Sequence, residues 1–300
     1  QLPRLLECGG FQLVKWLSNH ELVDDAIPED RRAAKSLRDL NSDTCERTLG
    51  MLWNPRCDTF VFTVQLREQS LSRREMLSAV STIFDPLGLL SPVLLDSRRM
   101  LQDLTRMKLG WDDPIPTSIQ EEWSEWRRQL DGLSDWSIPR LYSTHTGGSG
   151  ELHVFSDASE VGYGACAYMR VVVNGEPLSC TLVMGKSRVA PIRPMTIPRL
   201  ELMAATVASR LRNLVQMELR IKFSRVVMWT DSTISLGYIR NTSTRYKPFV
   251  SNRLVTIHDY TTQDEWRHVP TKQNPADLAS HGFEVADLSS RSMWLNGPSF

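Results

Sequence analysis

Four acidic side chains stand where a folded chain can bring distant segments together: Asp157 in HVFSDAS, Glu201 in IPRLELMAA, Asp231 in VVMWTDSTIS and Asp277 in NPADLAS. Each lies at the end of an apolar run or at the start of a helical one. Gathered without an internal cation, four carboxylates repel one another and push up their own pKa values. A divalent metal relieves that cost, and hard oxygen donors suit Mg²⁺ or Mn²⁺. The chemistry these residue types point to is two-metal hydrolysis of a phosphodiester. Taken singly, any of them also reads as a turn residue or a helix cap. Asp231 before Ser232 and Thr233 is cap-like, and Asp277 suits the first turn of a helix. The inference rests on the four together.

The elements that would position them can be read from periodicity. Residues 151–157 alternate and end in Asp157-Ala158-Ser159; a second run spans Gly162–Tyr168 and a third Ser179–Met184, with Asn174-Gly175 as a turn signal between the last two. This predicts a three-strand meander with Asp157 at the end of its first strand. A helix is predicted from Ile197 to about Met217, because Pro198 suits a first turn and Leu200, Met203, Ala204, Val207, Leu211 and Leu214 recur at helical spacing. Glu201 then sits one turn in. The apolar run Arg225–Thr230 suits a buried parallel strand that delivers Asp231 to its end. Glu265–Val269 reads as a last strand, and Asn274-Pro275 opens a helix carrying Asp277.

This order of elements, with Asp, Glu, Asp and Asp in turn, resembles the ribonuclease H fold: an α/β domain with a mixed five-stranded sheet flanked by helices. More narrowly, the SDAS, PRLEL, WTDS and NPAD motifs, and FDPLGLLSP at residues 84–92, resemble the BEL/Pao-type retrotransposon Pol polyprotein. The resemblance implies that Asp157, Glu201, Asp231 and Asp277 are catalytic and hold two Mg²⁺ ions (or Mn²⁺), and that the substrate is the RNA strand of an RNA–DNA hybrid. It also implies polymerase upstream and integrase downstream in the same polyprotein, and replication in cytoplasmic particles, with the nucleus as the alternative. Selectivity for RNA would come from contacts to 2′-hydroxyls across the minor groove, with Ser159, Arg199, Ser232 and Thr233 as candidate contacts. Lys186, Arg188 and Arg193, in the loop before the Glu201 helix, would meet phosphates of the DNA strand. Arg199 is also placed to pair with a carboxylate of the site. The first motif reads Asp-Ala-Ser where many relatives have Asp-Gly-Ser. The loop Pro270–Asn274 has no histidine where several cellular and retroviral enzymes carry one, while His268 and His281 lie nearby but displaced. Two other readings stay open: a catalytically silent, domesticated nucleic-acid-binding module, which would have no use for four acids, and an RNase H-like nuclease acting on DNA.

The remainder of the chain is read as follows. Three hundred residues suffice for roughly two domains; 41% hydrophobic and 23% charged residues are ordinary for a globular chain. Thirty-five basic and 35 acidic residues cancel, so nucleic acid must be held by local patches. No apolar run approaches the roughly 20 residues of a membrane span. Five cysteines without metal spacing suit a reducing, intracellular compartment. Residues 1–66 resemble the end of a reverse transcriptase palm. Phe11–Leu17 alternates like a strand, residues 28–40 read as a short helix, and Thr48–Trp53 with Thr59–Val64 form a primer-grip-like hairpin around Asn54–Asp58. Asp24 and Asp25 read as a solvated turn rather than polymerase carboxylates, so no polymerase activity is expected. Residues 67–141 read as a helical thumb or connection region. Arg98, Arg99, Arg106 and Lys108 there could track phosphates or form a solvated face, and Trp123 and Trp126 suit core packing. Residues 142–150 read as a linker, 151–285 as the RNase H domain and 286–300 as a tail toward a following domain.

Overall fold

In the computed structural model the described residues are 2–33, 46–48, 51–62, 71–141, 149–219, 221–241, 243–286 and 288–300. They divide between two units, residues 1–63 with 133–141 and residues 64–132 with 142–300. The first unit holds two short helices, α1 (Leu2–Cys8) and α2 (Glu21–Asp25), and an antiparallel sheet of β1 (Glu46–Thr48), β2 (Met51–Asn54), β3 (Thr59–Val61) and β4 (Ser137–Pro139) in that order. The expected hairpin is β2–β3. Asn54 pairs with Thr59, so the loop is one residue shorter than predicted. Asp58 takes a positive φ of 51° there and accepts hydrogen bonds from Trp53 Nε1 at 2.9 Å and from Arg140 Nε at 2.7 Å. Phe11–Leu17, expected as a strand, makes only the bridge Trp16–Arg32 among the described residues, while Asp24 and Asp25 lie in the short helical turn α2, Asp25 exposed. The helix expected over residues 28–40 shows a 3₁₀ turn at Glu29–Arg31; residues 34–40 lie outside the described ones.

The second unit begins with three helices, α3 (Arg73–Thr82), α4 (Ser91–Arg106) and α5 (Thr117–Leu130). The sequence Ser72-Arg73-Arg74-Glu75 closes a capping box. Ser72 Oγ accepts from Glu75 N at 3.3 Å and Glu75 Oε2 from Ser72 N at 2.9 Å. Trp123 and Trp126 of α5 are buried, and Trp126 Nε1 donates to Val93 O at 2.8 Å. The basic residues of α4 have partners within the chain, Arg98 and Arg99 half-buried and Arg106 exposed. Arg98 Nη1 donates to Ser187 O at 3.2 Å, Arg99 meets Glu122 at 2.9 Å, and Arg106 meets Asp103 at 2.8 Å.

The meander follows as β5 (Ser149–Ala158), β6 (Gly162–Val173) and β7 (Glu176–Val189), antiparallel, with Asn174 and Gly175 at positive φ in the turn. Then come α6 (Ile197–Leu219), β8 (Arg225–Thr230), α7 (Thr233–Arg240), α8 (Pro248–Tyr260), β9 (Trp266–His268), α9 (Ala276–His281) and α10 (Leu288–Asn296). The mixed sheet has the order β7-β6-β5-β8-β9, with β8 and β9 parallel to β5. One face, carrying Leu152, Val154, Ala165 and Ala167, buries the Leu200, Ala204, Ala208 and Leu211 side of α6, behind which α8 packs. The other face, two-residue alternation placing Phe155, Cys166 and Tyr168 there, receives α4, α9 and α10.

FDPLGLLSP forms the bend between α3 and α4 and lies on that second side. Asp85 accepts from Leu89 N and Leu90 N, each at 2.8 Å, which curls the loop. Gly88 then fits against Gly185 of β7 so closely that a Cβ on Gly88 would come 1.9 Å from Gly185 O. The stretch expected as a tail contains α10, whose buried Trp294 donates from Nε1 to Leu89 O at 2.7 Å and whose carbonyl accepts from Tyr168 Oη at 2.7 Å.

Candidate active site

The parallel register of β5 and β8 pairs Ser156 with Thr230, so the next residues, Asp157 and Asp231, leave adjacent strand ends side by side. Helix α6 brings Glu201 from one side of the sheet and α9 brings Asp277 from the other. Ligand oxygens of Asp157, Glu201 and Asp231 lie within 4.8 Å of one another, as do ligand atoms of Asp157, Asp277 and His281. Asp157 is common to both groups. All four sequence-selected acids therefore meet at one end of the sheet.

Burial makes this cluster costly in the absence of a cation. Asp157 is 3% exposed, and its carboxyl is pushed up to about 7, first by burial and then by Asp231 and Asp277, against a hydrogen bond from Ser280. Glu201 is 7% exposed and pushed up to about 9, first by burial and then by Asp157 and Asp231. Asp277 is raised by burial, with the imidazole of His281 opposing. Two oxygens in the cluster, Glu201 Oε2 and Asp231 Oδ1, are buried with no hydrogen-bond partner. An orphaned buried carboxylate oxygen is expensive unless something positive meets it. The donor set is all hard oxygen apart from one imidazole, so the residues fit Mg²⁺ or Mn²⁺.

The sequence reading missed the groups that hold these acids. Ser280 Oγ donates to Asp157 Oδ2, and Thr271 Oγ1 donates to Asp231 Oδ2 at 2.6 Å. Asn274, fully buried, donates from Nδ2 to Ser156 O at 3.1 Å while its Oδ1 accepts from Ala276 N at 3.2 Å, which ties the start of α9 to β5. His281 Nδ1 lies 3.2 Å from Asp277 Oδ1, so it belongs to the site rather than beside it. The spacing Asp277-x-x-Ser280-His281 does carry that signal, because residues three and four apart share a helix face. Thr271 had no such signal, being brought in by a loop.

The expected substrate-contact residues are less uniform. Ser159 is buried, its hydroxyl donating to Ser280 O at 2.8 Å and accepting from Val161 N at 3.0 Å, so it holds the site together instead of facing a ligand. Ser232 caps α7 by accepting from Ser235 N at 3.1 Å, and Thr233 is exposed. Lys186 and Arg188 are exposed on β7 rather than in a loop, because that strand runs on to Val189; Arg193 is exposed in the segment that follows. Arg199 is exposed and pairs with no carboxylate among the described residues. Its guanidinium lies 5.1 Å from the centroid of Phe249.

A mixed sheet in this order, with carboxylates from β5, α6, β8 and α9 at one end, defines an RNase H-like domain. Residues 72–232, more than half of the chain, match the family described as Pao retrotransposon-like RNaseH-like domain, and the chain belongs to that family. The match takes in α3–α5 as well as strands β5–β8, together with Asp157, Glu201 and Asp231. Among solved structures, RNase H1 of the halophilic archaeon Halobacterium salinarum NRC-1 is similar at 17% identity and a TM-score of 0.29, over 44% of this chain and 94% of that one. An N-terminal RNase H domain from Mycobacterium tuberculosis, solved as a fusion with maltose binding protein, is similar at 13% identity and a TM-score of 0.31, over 49% and 96%. A foamy viral protease-reverse transcriptase in complex with dsDNA is similar at 13% identity and a TM-score of 0.25, over 76% of this chain and 45% of that one. No curated protein matches the chain in sequence. Among the described residues no helix is long and apolar enough to cross a membrane.

Proposed function

We propose that this chain is a metal-dependent endonuclease that hydrolyses the RNA strand of RNA–DNA hybrids, as the RNase H part of a retrotransposon polyprotein. The observation that carries the reading is the convergence of four carboxylates with two buried, unpartnered oxygens, Glu201 Oε2 and Asp231 Oδ1. Asp157, Glu201, Asp231 and Asp277 would hold two Mg²⁺ or Mn²⁺ ions, Asp157 belonging to both ligand groups. Such ions supply a hydroxide-like water near neutral pH and stabilise the leaving oxygen of an in-line displacement. The chain's own part is to fix the carboxylates. Ser280 holds Asp157 and Thr271 holds Asp231, while Asn274 anchors the helix that carries Asp277. His281, against Asp277, is placed to take up or give a proton at its exposed ring nitrogen. Thr233, Lys186, Arg188 and Arg193 are exposed and free to meet the nucleic acid.

The test is incubation of the full chain with a labelled RNA–DNA hybrid and Mg²⁺, beside Asp231→Asn and the same sequence as duplex DNA. The expected result is cleavage of the RNA strand alone, abolished by EDTA and lowered at least a thousandfold by the substitution. Cutting of duplex DNA would make it a DNA-directed nuclease of the same fold. Binding without cleavage, in Mg²⁺ and Mn²⁺ alike, would leave a nucleic-acid-binding module.

A further inference from the structure

One pair of arginines near the carboxylates has no counter-charge. Arg199 opens α6 two residues before Glu201, and Arg253 lies on α8, which packs against α6. Their guanidinia come to 5.1 Å and 3.5 Å from the centroid of the same ring, Phe249. Arg253 Nη1 donates to Phe249 O at 2.9 Å; Arg199 makes no side-chain hydrogen bond, and neither arginine has a carboxylate at ion-pair distance among the described residues. Elsewhere in the unit two partly buried arginines are answered by carboxylates. Arg212 meets Glu265 at 2.6 Å and Arg170 meets Glu151 at 3.2 Å. Two like charges sharing one aromatic ring repel. Arg253 is held below its ordinary value first by burial, with Tyr163 opposing and Arg199 acting in the same direction as burial. Such an arrangement costs stability in the free protein and becomes favourable when an anion meets both guanidinia.

We propose that Arg199 and Arg253, spread on Phe249, form a phosphate-binding pair that grips the sugar–phosphate backbone of the bound hybrid beside the cleavage site. The assignment rests on the hybrid-ribonuclease reading, and adds to it residues that no sequence motif marked: Phe249 and Arg253. A phosphodiester fits better than a free carboxylate ligand. The donors are two planar forks set on one ring, and exposed Lys186 and Arg188 add basic residues on β7, Arg188 lying opposite Tyr163, which acts on Arg253. Phe249 would fix where the forks point, by cation–π contact.

The experiment measures hybrid affinity across a salt series in the full chain carrying Asp231→Asn, so that substrate persists. Arg199→Ala, Arg253→Ala and Phe249→Leu are added one at a time. Each lost phosphate contact should reduce the slope of log affinity against log salt by about one. Each arginine substitution is also expected to weaken binding about tenfold at low salt. Phe249→Leu keeps both charges, so it should weaken binding with the slope unchanged. Mn²⁺ binding, followed by electron paramagnetic resonance, should not move. Arg199 is exposed, so its substitution reports even where Arg253→Ala impairs folding. Unchanged slopes in both arginine variants, with the parent binding hybrid normally, would overturn the phosphate pair and leave the nuclease reading standing. An unsubstituted chain that neither binds nor cleaves hybrid at any salt concentration would overturn the nuclease reading, and the pair with it.

Discussion

At the scale of single residues, the site is defined by charges that the protein alone does not neutralise. The carboxyls of Asp157 and Glu201 stand at about 7 and about 9 in the folded chain, above their values in an unfolded one. The sign of the consequence follows. Between the unfolded and folded values the unfolded chain has released protons that the folded chain retains, so stability falls as pH rises across that window. Metal-free protein should therefore lose roughly 5–10 °C of melting temperature between about pH 5 and about pH 8. Adding Mg²⁺ or Mn²⁺ at the higher pH should restore it, and Asp157→Asn or Glu201→Gln should flatten the slope while removing the metal response. Calorimetry with and without EDTA reads all of this; a flat metal-free profile in the parent would mean the acids are not buried together. Ser280 gives a second prediction. Its hydroxyl holds Asp157 and lowers that carboxyl's pKa, so Ser280→Ala should weaken Mn²⁺ binding about tenfold. The loss should be greater at pH 6 than at pH 8.5, since the unsupported carboxyl then ionises only at higher pH.

At the scale of elements, the positions of the four acids were legible because each is tied to a pattern with a physical cause. Alternation ends at Asp157, a proline-started helix carries Glu201, an apolar parallel strand stops at Asp231, and Asn274-Pro275 opens the helix of Asp277. What was not legible depends on partners far away in sequence. The meander strands run longer than their apolar runs, which moved Lys186 and Arg188 from a loop onto β7. There the edge of β6 supplies ladder hydrogen bonds whatever the side chains are. Ser159 looked like a contact residue because it follows the catalytic motif, yet its hydroxyl is claimed by the carbonyl of Ser280, 121 residues on. Phe11–Leu17 shows the converse, an alternating run that finds only a single bridge, to Arg32, among the described residues. Gly164 tests how tightly elements fix the site. It lies opposite Asp157, and a Cβ there would come 2.7 Å from Ala279 Cβ on α9 and 2.6 Å from Lys186 O. Gly164→Ala must push α9 outward and carry Asp277 and Ser280 with it. The expected outcome is a fall in hybrid cleavage of about a hundredfold, on the scale of a 1 Å misplacement. The stability cost should be about 1–3 kcal/mol. Urea unfolding beside the cleavage assay separates the two, and full activity in a folded variant would show that α9 tolerates the shift.

At the scale of the molecule, the question is what part of the chain makes the RNase H-like sheet stable. Strand β7 is an edge, and an edge strand left open invites pairing with another chain. Here the residues before the sheet close it. Leu87 O accepts from Gly185 N at 2.9 Å, Arg98 Nη1 donates to Ser187 O at 3.2 Å, and Gln102 Nε2 donates to Ala190 O at 2.7 Å. Trp294 then wedges between Leu89 O and Tyr168, filling the space that Gly185 leaves open; a Cβ on Gly185 would meet its ring at 2.6 Å. Of the helices read from sequence as a thumb or connection region, α4 thus packs on the second face of the sheet with α3 and α5 against it, and the family match, beginning at residue 72, includes all three. A chain beginning at Ser149 would keep every carboxylate and still lose that cover. It would strip Trp294 of its partner Leu89 and open the β7 edge, and each large side chain uncovered costs about 1.5–3 kcal/mol. We therefore expect residues 149–300 alone to melt at least 10 °C below the full chain, at roughly 2–4 °C per kcal/mol, and to associate with concentration. Residues 64–300 should melt close to the full chain. Thermal unfolding with sedimentation velocity decides it. If the short chain proves monomeric and as stable as the long one, α3–α5 are appended to the sheet and the site does not depend on them.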